Sequence, residues 1–121
     1  MSTVSLQAHQ AELAEHVTVG AALLDQRHPG WERQIDVDLL DMASAEDDML
    51  GQLYGSYDEG LDALIRRDPD PSAWAPHAFA VAYGFDATAD EPGVYDDRTQ
   101  AWRVQVAQRR IRKLGQGERT R

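Results

Sequence analysis

The sequence predicts an all-α (mainly α) fold: a compact bundle of about four helices with an extended connector between helices 1 and 2. Apolar residues recur at helical spacing in several segments that Pro and Gly separate, and the one short alternating segment, residues 35–40, has no partner strand. A chain of 121 residues that is 42% hydrophobic suits one domain. We predict a single helical domain over residues 1–115 and a frayed basic tail over 116–121.

The first helix is predicted to span Leu6–Gln26, because its apolar and small residues share one helical face. The His-Pro-Gly sequence at 28–30 ends this helix, since proline cannot continue the hydrogen-bond ladder. Trp31 follows directly and is expected to fold back onto the core. Residues 32–43 then form the connector, with one helical turn. The predicted face contains Leu6, Leu13, Val17, Gly20 and Leu24.

The second helix is the clearest element, with an N-cap at Ser44 and basic residues Arg66 and Arg67 at its end. The acidic residues that follow Ser44 suit the positive end of the helix dipole. We therefore predict one unbroken helix as the centre of the fold. Its apolar face contains Leu50, Leu53, Tyr54, Tyr57, Leu61, Leu64 and Ile65.

Three glycines interrupt this predicted helix, and each costs about 1 kcal/mol relative to alanine in a helix interior. The usual compensation is the close approach of another helix, and a ligand backbone is a weaker alternative. The Gly-Gln-Leu-Tyr-Gly string at 51–55 matches neither a P-loop nor a dinucleotide fingerprint. We predict a helix-packing set of Gly51, Gly55, Leu50, Leu53, Tyr54 and Tyr57, with Gly60 as the third glycine.

A third, shorter helix is predicted from Ala73 or Ala75 to Tyr83. Pro76 belongs in its first turn, and Gly84 suits the left-handed position just beyond its end. A loop follows over residues 85–96.

The fourth helix is predicted over Asp97–Leu114, with Gly115 ending it. Its core-facing stripe should contain Ala101, Val104, Ile111 and Leu114, with Trp102 and Val106 beside it.

The net charge of −9 conceals a division: residues 1–97 sum to −16 and residues 98–121 to +7. Such asymmetry is typical of contact with a polyanion, but neutralisation of the acidic body within the fold or a dimer is the favoured interpretation. A helix that reads DNA would concentrate its cations on one side, whereas these spread around the helix. The candidate contacts with a partner or nucleic acid are Arg103, Arg109, Arg110, Arg112 and Lys113.

No catalytic, cofactor-binding or metal-ligating residue is predicted. The chain has no cysteine, its start lacks a signal-peptide pattern, and no stretch approaches the roughly 18 apolar residues of a membrane span, which favours a cytoplasmic protein. His9, Glu12 and His16 share a face but supply too few converging ligands for a metal. The aspartates lack an EF-hand pattern, so we interpret them as solvated or helix-capping; they are Asp36, Asp38, Asp41, Asp47 and Asp48.

An ordered set of strings resembles a family of small proteins of actinobacterial phages and prophages, over roughly residues 20–110. The resemblance implies a source class and no activity. Members of the family carry a Cys-x-x-Cys pair where this chain has Ala45 and Asp48, so no metal or redox role of that pair is implied here. The strings are Gly20 to Asp25, Pro29-Gly30-Trp31, Ile35-Asp36, Leu39 to Met42, Leu50 to Gly55, Tyr83-Gly84-Phe85 and Ala101-Trp102.

These observations predict a non-enzymatic, phage-type accessory protein that binds another protein, with a host factor as one candidate and self-association as another. The alternative is a nucleic-acid-binding regulator that uses the Arg-rich fourth helix. A divalent-metal-dependent enzyme using the aspartates and His9 or His16 is a third interpretation. We expect no cofactor, no membrane association and a location in the cytoplasm of the bacterial host.

Overall fold

The chain is all-α, as the sequence predicts. The computed structural model describes residues 2–87 and 93–119, and within these the side chains of 11–87 and 93–113; these ranges contain helices and turns but no strand. No helix of the described part is long and apolar enough to cross a membrane. The elements are α1 (Ser2–Arg27), α2 (Trp31–Gln34), α3 (Met49–Tyr54), α4 (Tyr57–Arg66), a 3-10 turn (Pro71–Ala73), α5 (Pro76–Ala82) and α6 (Val94–Arg119).

The two 26-residue helices, α1 and α6, pack along each other. Gln105 Nε2 donates to Thr18 Oγ1 (3.2 Å), and further along both helices Arg109 contacts Asp25. Residue numbers rise together along the two helices between these contacts, so the pair runs in the same direction. Gly20 lies where α1 meets both α6 and the end of α5: a β-carbon there would overlap the Tyr83 carbonyl and would come 3.1 Å from the Trp102 ring.

Four large aromatic side chains fill the core, and each is at most 1% exposed. The rings of Phe85 and Trp102 stack with centroids 5.4 Å apart, and Trp31 meets Trp102 edge-on at 5.9 Å. Trp102 Nε1 donates to the Gly84 carbonyl (2.8 Å), which satisfies the indole N–H inside the core. The prediction that Trp31 folds back onto the core is confirmed.

The prediction of one unbroken second helix is wrong, because the chain breaks between α3 and α4. Gly55 has φ = 102°, a conformation that side chains disfavour, and it ends α3. Ser56 then caps α4 by accepting from the Glu59 N–H. The N-cap of α3 is Asp48 rather than Ser44; the Ser44 hydroxyl accepts from the Asp47 N–H in the turn before it.

The other two glycines mark close approaches, as predicted, but only one of them involves a helix. A β-carbon on Gly60 would lie 2.7 Å from Leu50 Cβ and 2.8 Å from the Tyr54 ring, so α3 packs against α4 at this point. A β-carbon on Gly51 would instead overlap the main chain of residues 45–46, a turn. In the predicted packing set Leu50 is buried, and Leu53, Tyr54 and Tyr57 pack half-buried against the core.

The shorter elements agree closely with the sequence. The connector contains the one expected helical turn, α2, although it begins at Trp31. Helix α5 has Pro76 in its first turn and ends at Ala82, one residue before the predicted end.

Helix α6 differs from its prediction in length and in register. It begins at Val94, and Gly115 does not end it, because the helix continues to Arg119. The predicted core stripe is wrong at Val104 and Ile111, which are 47% and 70% exposed, while Trp102 and Val106 are fully buried. Ala101 packs half-buried against the core as expected, and the side chain of Leu114 lies outside the described residues. Arginine stems complete the buried face in place of the expected apolar side chains, since the methylenes of a long cation can cover a core while its head finds partners.

Candidate functional site

The buried face of α6 includes two arginines as well as apolar residues. Arg98 is buried near the start of the helix, where Nε donates to the Asp86 carbonyl (2.9 Å) and Nη1 to the Val94 carbonyl (3.1 Å). Burial lowers the pKa of Arg98, and the nearby Asp86 charge opposes that effect. Both of these hydrogen bonds therefore go to main-chain acceptors within the fold.

Two arginines attach the connector to α6 through carbonyl groups that have no helical partner. Arg110 Nε donates to the Glu32 carbonyl (2.9 Å), and its Nη2 donates to the Ile35 carbonyl (2.6 Å). Arg103 Nε donates to the Val37 carbonyl (3.1 Å). The last carbonyls of a short helix and of an extended segment need such donors when they are near a core.

Arg109 joins α6 to α1 by a two-pronged contact with Asp25. Its Nε lies 3.1 Å from Oδ1 and its Nη2 lies 2.9 Å from Oδ2, and the guanidinium carbon lies 5.5 Å from the centre of the Trp31 ring. Trp31 Nε1 also donates to Asp25 Oδ1 (2.9 Å). Burial opposes ionisation of Asp25, but the hydrogen bonds from Arg109 and Trp31 outweigh it, so the pKa of Asp25 is lowered.

Glu32 is a buried carboxylate with one ion-pair partner. The residue is 1% exposed, and Lys113 Nζ lies 2.7 Å from its Oε1. Both carboxylate oxygens are buried, and neither accepts a hydrogen bond of good geometry within the described part of the chain, so the contact with Lys113 is an ion pair. Burial would raise the pKa of Glu32, but Lys113 outweighs that effect and the pKa is lowered. Glu32 is therefore an anion at neutral pH.

A cavity of about 480 Å³ opens at this ion pair and is lined by Glu32, Arg33, Arg110 and Lys113. We call it the α2–α6 cleft. A smaller hollow of about 220 Å³ also has Lys113 in its lining, together with Asp25, Arg109 and Arg112. Among the described residues, cations outnumber carboxylates around both, although the protein as a whole carries −9.

The face of α6 that points away from the core exposes apolar side chains. Val104, Ala107 and Ile111 are exposed on the side turned away from Trp102 and Val106, and we call these three residues the outer stripe. Their spacing of three and four residues is that of a helix-packing seam. Leu114 continues the same spacing in the sequence, and its side chain lies outside the described residues.

The five cations predicted to contact a partner do not form one outward surface. Four of them hold the connector, Asp25 or Glu32, as described above. Arg112 is exposed beside the 220 Å³ hollow and makes no hydrogen bond or ion pair to the part of the chain that the structure describes. The favoured interpretation, neutralisation within the fold, holds for Arg109 and Lys113, whereas the main-chain carbonyl partners of Arg103 and Arg110 were not predicted. The five are Arg103, Arg109, Arg110, Arg112 and Lys113.

A third cavity, of about 180 Å³, is lined by several polar side chains and was not expected from the sequence. Tyr57 Oη donates to Asp86 Oδ2 (2.7 Å), Tyr95 Oη donates to Asp86 Oδ1 (3.0 Å), and His77 Nδ1 lies 3.6 Å from Oδ2. Asp48 lines the same cavity and is 3% exposed. These residues come from distant parts of the chain, so no local spacing could have predicted the cluster.

Asp48 lacks the cation that Glu32 has. Its Oδ1 accepts from the Gly51 N–H (2.5 Å), which opposes protonation. Burial dominates, the Asp86 charge adds to it, and together they raise the pKa of Asp48 to about 7. Burial and the hydrogen bond to Asp86 likewise raise the pKa of Tyr57.

The aspartates and histidines of the sequence do not converge on a metal site in the described ranges. No three side chains of His, Cys, Asp or Glu are grouped closely enough there to hold an ion. Asp36 and Asp41 are exposed, which confirms the solvated interpretation for them, and each accepts from the main-chain N–H two residues on, within a turn rather than at the start of a helix. His16 Nε2 lies 4.0 Å from Glu12 Oε1, and the side chain of His9 lies outside the described residues.

Comparison with protein-family models, with curated proteins and with solved structures found no match to this chain. The resemblance to a phage family therefore stays a prediction. The function has to be argued from the geometry of α6 and its surroundings.

Proposed function

We propose that the chain is a non-enzymatic, phage-type accessory protein that binds another protein through the outer stripe of α6, in the cytoplasm of the bacterial host. The observation that carries this proposal is the exposure of Val104 and Ile111 on one long helix. Apolar side chains at a spacing of three and four residues form the seam into which a partner helix packs. Their burial against a partner removes apolar surface from water, at about 25 cal/mol for each Å².

The cations support protein binding over the alternative, nucleic-acid binding. A nucleic-acid site needs several cations free to contact phosphates. Here Arg103 and Arg110 hold main-chain carbonyls, Arg109 holds Asp25 and Lys113 holds Glu32. Arg112 alone among the five predicted contact cations has no such partner in the described ranges, which is too little for a phosphate-binding surface.

Site-specific photo-crosslinking tests the outer stripe. A photoreactive amino acid is placed at position 104 or 111, and at position 78 as the control, because Ala78 is exposed on α5. The proposal expects adducts of one defined mass from 104 and 111 and none from 78. Adducts with a second copy would identify the partner as the chain itself. Identical adducts from all three positions, or none from any, would contradict the proposal.

The double variant Val104→Asp/Ile111→Asp should abolish binding to the partner while leaving the fold intact. Both positions are exposed, so each substitution should change the free energy of unfolding by less than about 0.5 kcal/mol. The adducts from a third crosslinker position on the stripe, Ala107, should disappear. An unchanged adduct from a folded double variant would show that the stripe does not bind the partner.

A further inference from the structure

The outward face of α6 changes its charge along the helix. It begins with two exposed acids in the first turn, Asp96 and Asp97, continues as the outer stripe, and reaches the exposed cation Arg112. None of these three side chains makes a hydrogen bond or ion pair within the described ranges. The helix dipole favours acids in a first turn, but it accounts neither for Arg112 nor for the exposed apolar residues before it.

The charges flank the outer stripe on both of its sides. With 3.6 residues per turn, Asp97 and Arg112 project on the side of the stripe nearer to α1. Asp96 and Arg110 project on the side nearer to the connector, where Arg110 donates to two neutral carbonyls and keeps its charge. Each flank therefore has an acid near the start of the helix and a base towards its end.

We propose that the occupant of the outer stripe is a second copy of this chain, whose α6 packs antiparallel to the first across a two-fold axis near Val104. This inference rests on the proposed use of the outer stripe. In an antiparallel pair related by such an axis, each flank of one helix faces the same flank of the other. Asp97 of each copy then faces Arg112 of the second copy, and Asp96 faces Arg110. The midpoints of these two pairs fall on either side of Val104, which places the axis there.

The charges also select the direction of the second helix. A parallel pair would set Asp97 against Asp97 and Arg112 against Arg112, and like charges at such positions are destabilising. Arg103 lies close to the antiparallel axis, so its charge meets that of its counterpart. Its Nε donates to the Val37 carbonyl, and Asp36 and Asp38, on either side of Val37 in the chain, are exposed. The connector thus supplies carboxylates near Arg103.

Sedimentation equilibrium of the purified full chain tests the dimer by charge exchange. The natural chain should have the mass of two chains and dissociate on dilution. Asp97→Arg and Arg112→Asp should each weaken the dimer by about tenfold, because symmetry places each change in two contacts. An equimolar mixture of the two variants restores attraction at both contacts and should associate as strongly as the natural chain. Arg66→Asp makes the same charge change on the exposed side of α4 and should have no effect.

Disulfide trapping tests the antiparallel direction. The chain has no cysteine, and Gln100 and Gln108 are exposed at equal distances along α6 from Val104. A mixture of Gln100→Cys and Gln108→Cys should form the mixed disulfide faster than either symmetric one. In a parallel pair these two positions would be offset by about 12 Å along the axis, too far for a disulfide. Faster symmetric disulfides would overturn the antiparallel arrangement.

The outcomes separate this dimer from the proposed function. A natural chain that stays monomeric at every concentration, or a mixture of charge variants no stronger than either variant alone, would overturn the dimer. If the chain stays monomeric while positions 104 and 111 give adducts with a different protein, the outer stripe remains the binding surface and only its occupant is wrong. A dimer that Val104→Asp/Ile111→Asp leaves intact would place the contact elsewhere and overturn the inference. Arg112→Asp alters an exposed side chain, so it remains informative if Asp97→Arg lowers the stability of the helix.

Discussion

Glu32 and Asp48 are both carboxyl groups that folding removes from water, yet their surroundings act on them in opposite directions. They are 1% and 3% exposed. The pKa of Glu32 is lowered and that of Asp48 is raised to about 7. Lys113 Nζ lies 2.7 Å from Glu32, whereas Asp48 has a main-chain N–H and the charge of Asp86 nearby.

The difference shows that burial alone does not decide the charge of an acid. Desolvation disfavours the ionised form at both positions, and at Glu32 the nearby Lys113 reverses the balance. The C-terminal half of α6 supplies that cation to Glu32 but not to Asp48. The helix thus keeps one buried acid charged, while the other changes its protonation near neutral pH.

Breaking the Glu32–Lys113 pair should have the largest effect. Lys113→Met leaves a buried anion without its cation, so the free energy of unfolding at pH 7 should fall by about 2–3 kcal/mol. This is below the usual range for a buried pair, because the Lys113 side chain is 49% exposed and water can partly replace it. Urea denaturation measures the change. The double variant Glu32→Gln/Lys113→Met should recover part of the lost free energy of unfolding. If Lys113→Met costs the same in the natural chain and in Glu32→Gln, the two charges do not interact.

Asp48→Asn should stabilise the protein at high pH. The folded state keeps a proton on Asp48 up to about pH 7, while the unfolded chain loses it near pH 4. Asparagine keeps the capping acceptor without a charge. We expect a gain of about 1–3 kcal/mol at pH 8 that vanishes near pH 4. Denaturation of both proteins across this range measures it, and a gain that is constant with pH would contradict the buried-charge explanation.

The shifted pKa values of the buried and ion-paired acids together should give the natural chain its largest free energy of unfolding at about pH 4.5. The lowered pKa values of Asp25 and Glu32 provide stability above about pH 4, which is lost as the pH falls through their folded values. The raised pKa of Asp48 acts oppositely: its contribution is full below about pH 4 and is lost as the pH rises towards 7. The expected fall on the alkaline side is up to about 1.4 kcal/mol for each pH unit. Thermal melts in matched buffers test this, and Asp48→Asn should flatten that side alone.

Removing the exposed ion pair Asp62–Arg66 should have the smallest effect on the free energy of unfolding, and it serves as the reference for the buried pairs. Both side chains are mostly exposed, so solvent and salt screen their attraction. Arg66→Gln should change the free energy of unfolding by less than about 0.5 kcal/mol. A change as large as that of Lys113→Met would show that burial has little influence on ion pairs in this protein.

The sequence predicted the helical class well, because most elements combine helical spacing with a clear stop. It failed on the register of α6. Apolar spacing selected Val104 and Ile111 for the core, but the fold buries Arg98 and Arg109 there instead. Periodicity treats a charged residue as exposed, and it does not register acceptors such as the Asp86 carbonyl that lie far away in the sequence.

The break between α3 and α4 had a local signal that periodicity overrode. Gly55 is followed by Ser56, and Glu59 stands three residues later, which is the spacing of a capping box. The continuing apolar face made one long helix look sufficient. A capping sequence that directly follows a glycine is therefore better evidence for a helix boundary than a continuous apolar face is for one long helix.

The candidate sites could be predicted from the sequence only in part. The cations of α6 were visible as a charge division, and their partners were not. Glu32 had no distinguishing feature, because its burial follows from the packing of α2 against α6. Asp48 was recognised as a possible cap, but its cavity depends on Asp86, which lies 38 positions further on.

The arginine contacts of the connector also affect the order in which the segments of the chain fold during synthesis. The carbonyls of Glu32, Ile35 and Val37 receive their donors from residues 78, 75 and 66 positions later in the chain. During synthesis the N-terminal part emerges first, at about 5–20 residues per second. The connector must wait several seconds for α6 before its carbonyls are satisfied, at these rates. Its ordering is therefore a late step on the ribosome, and a chain cut short before Arg103 would leave this segment without its ties.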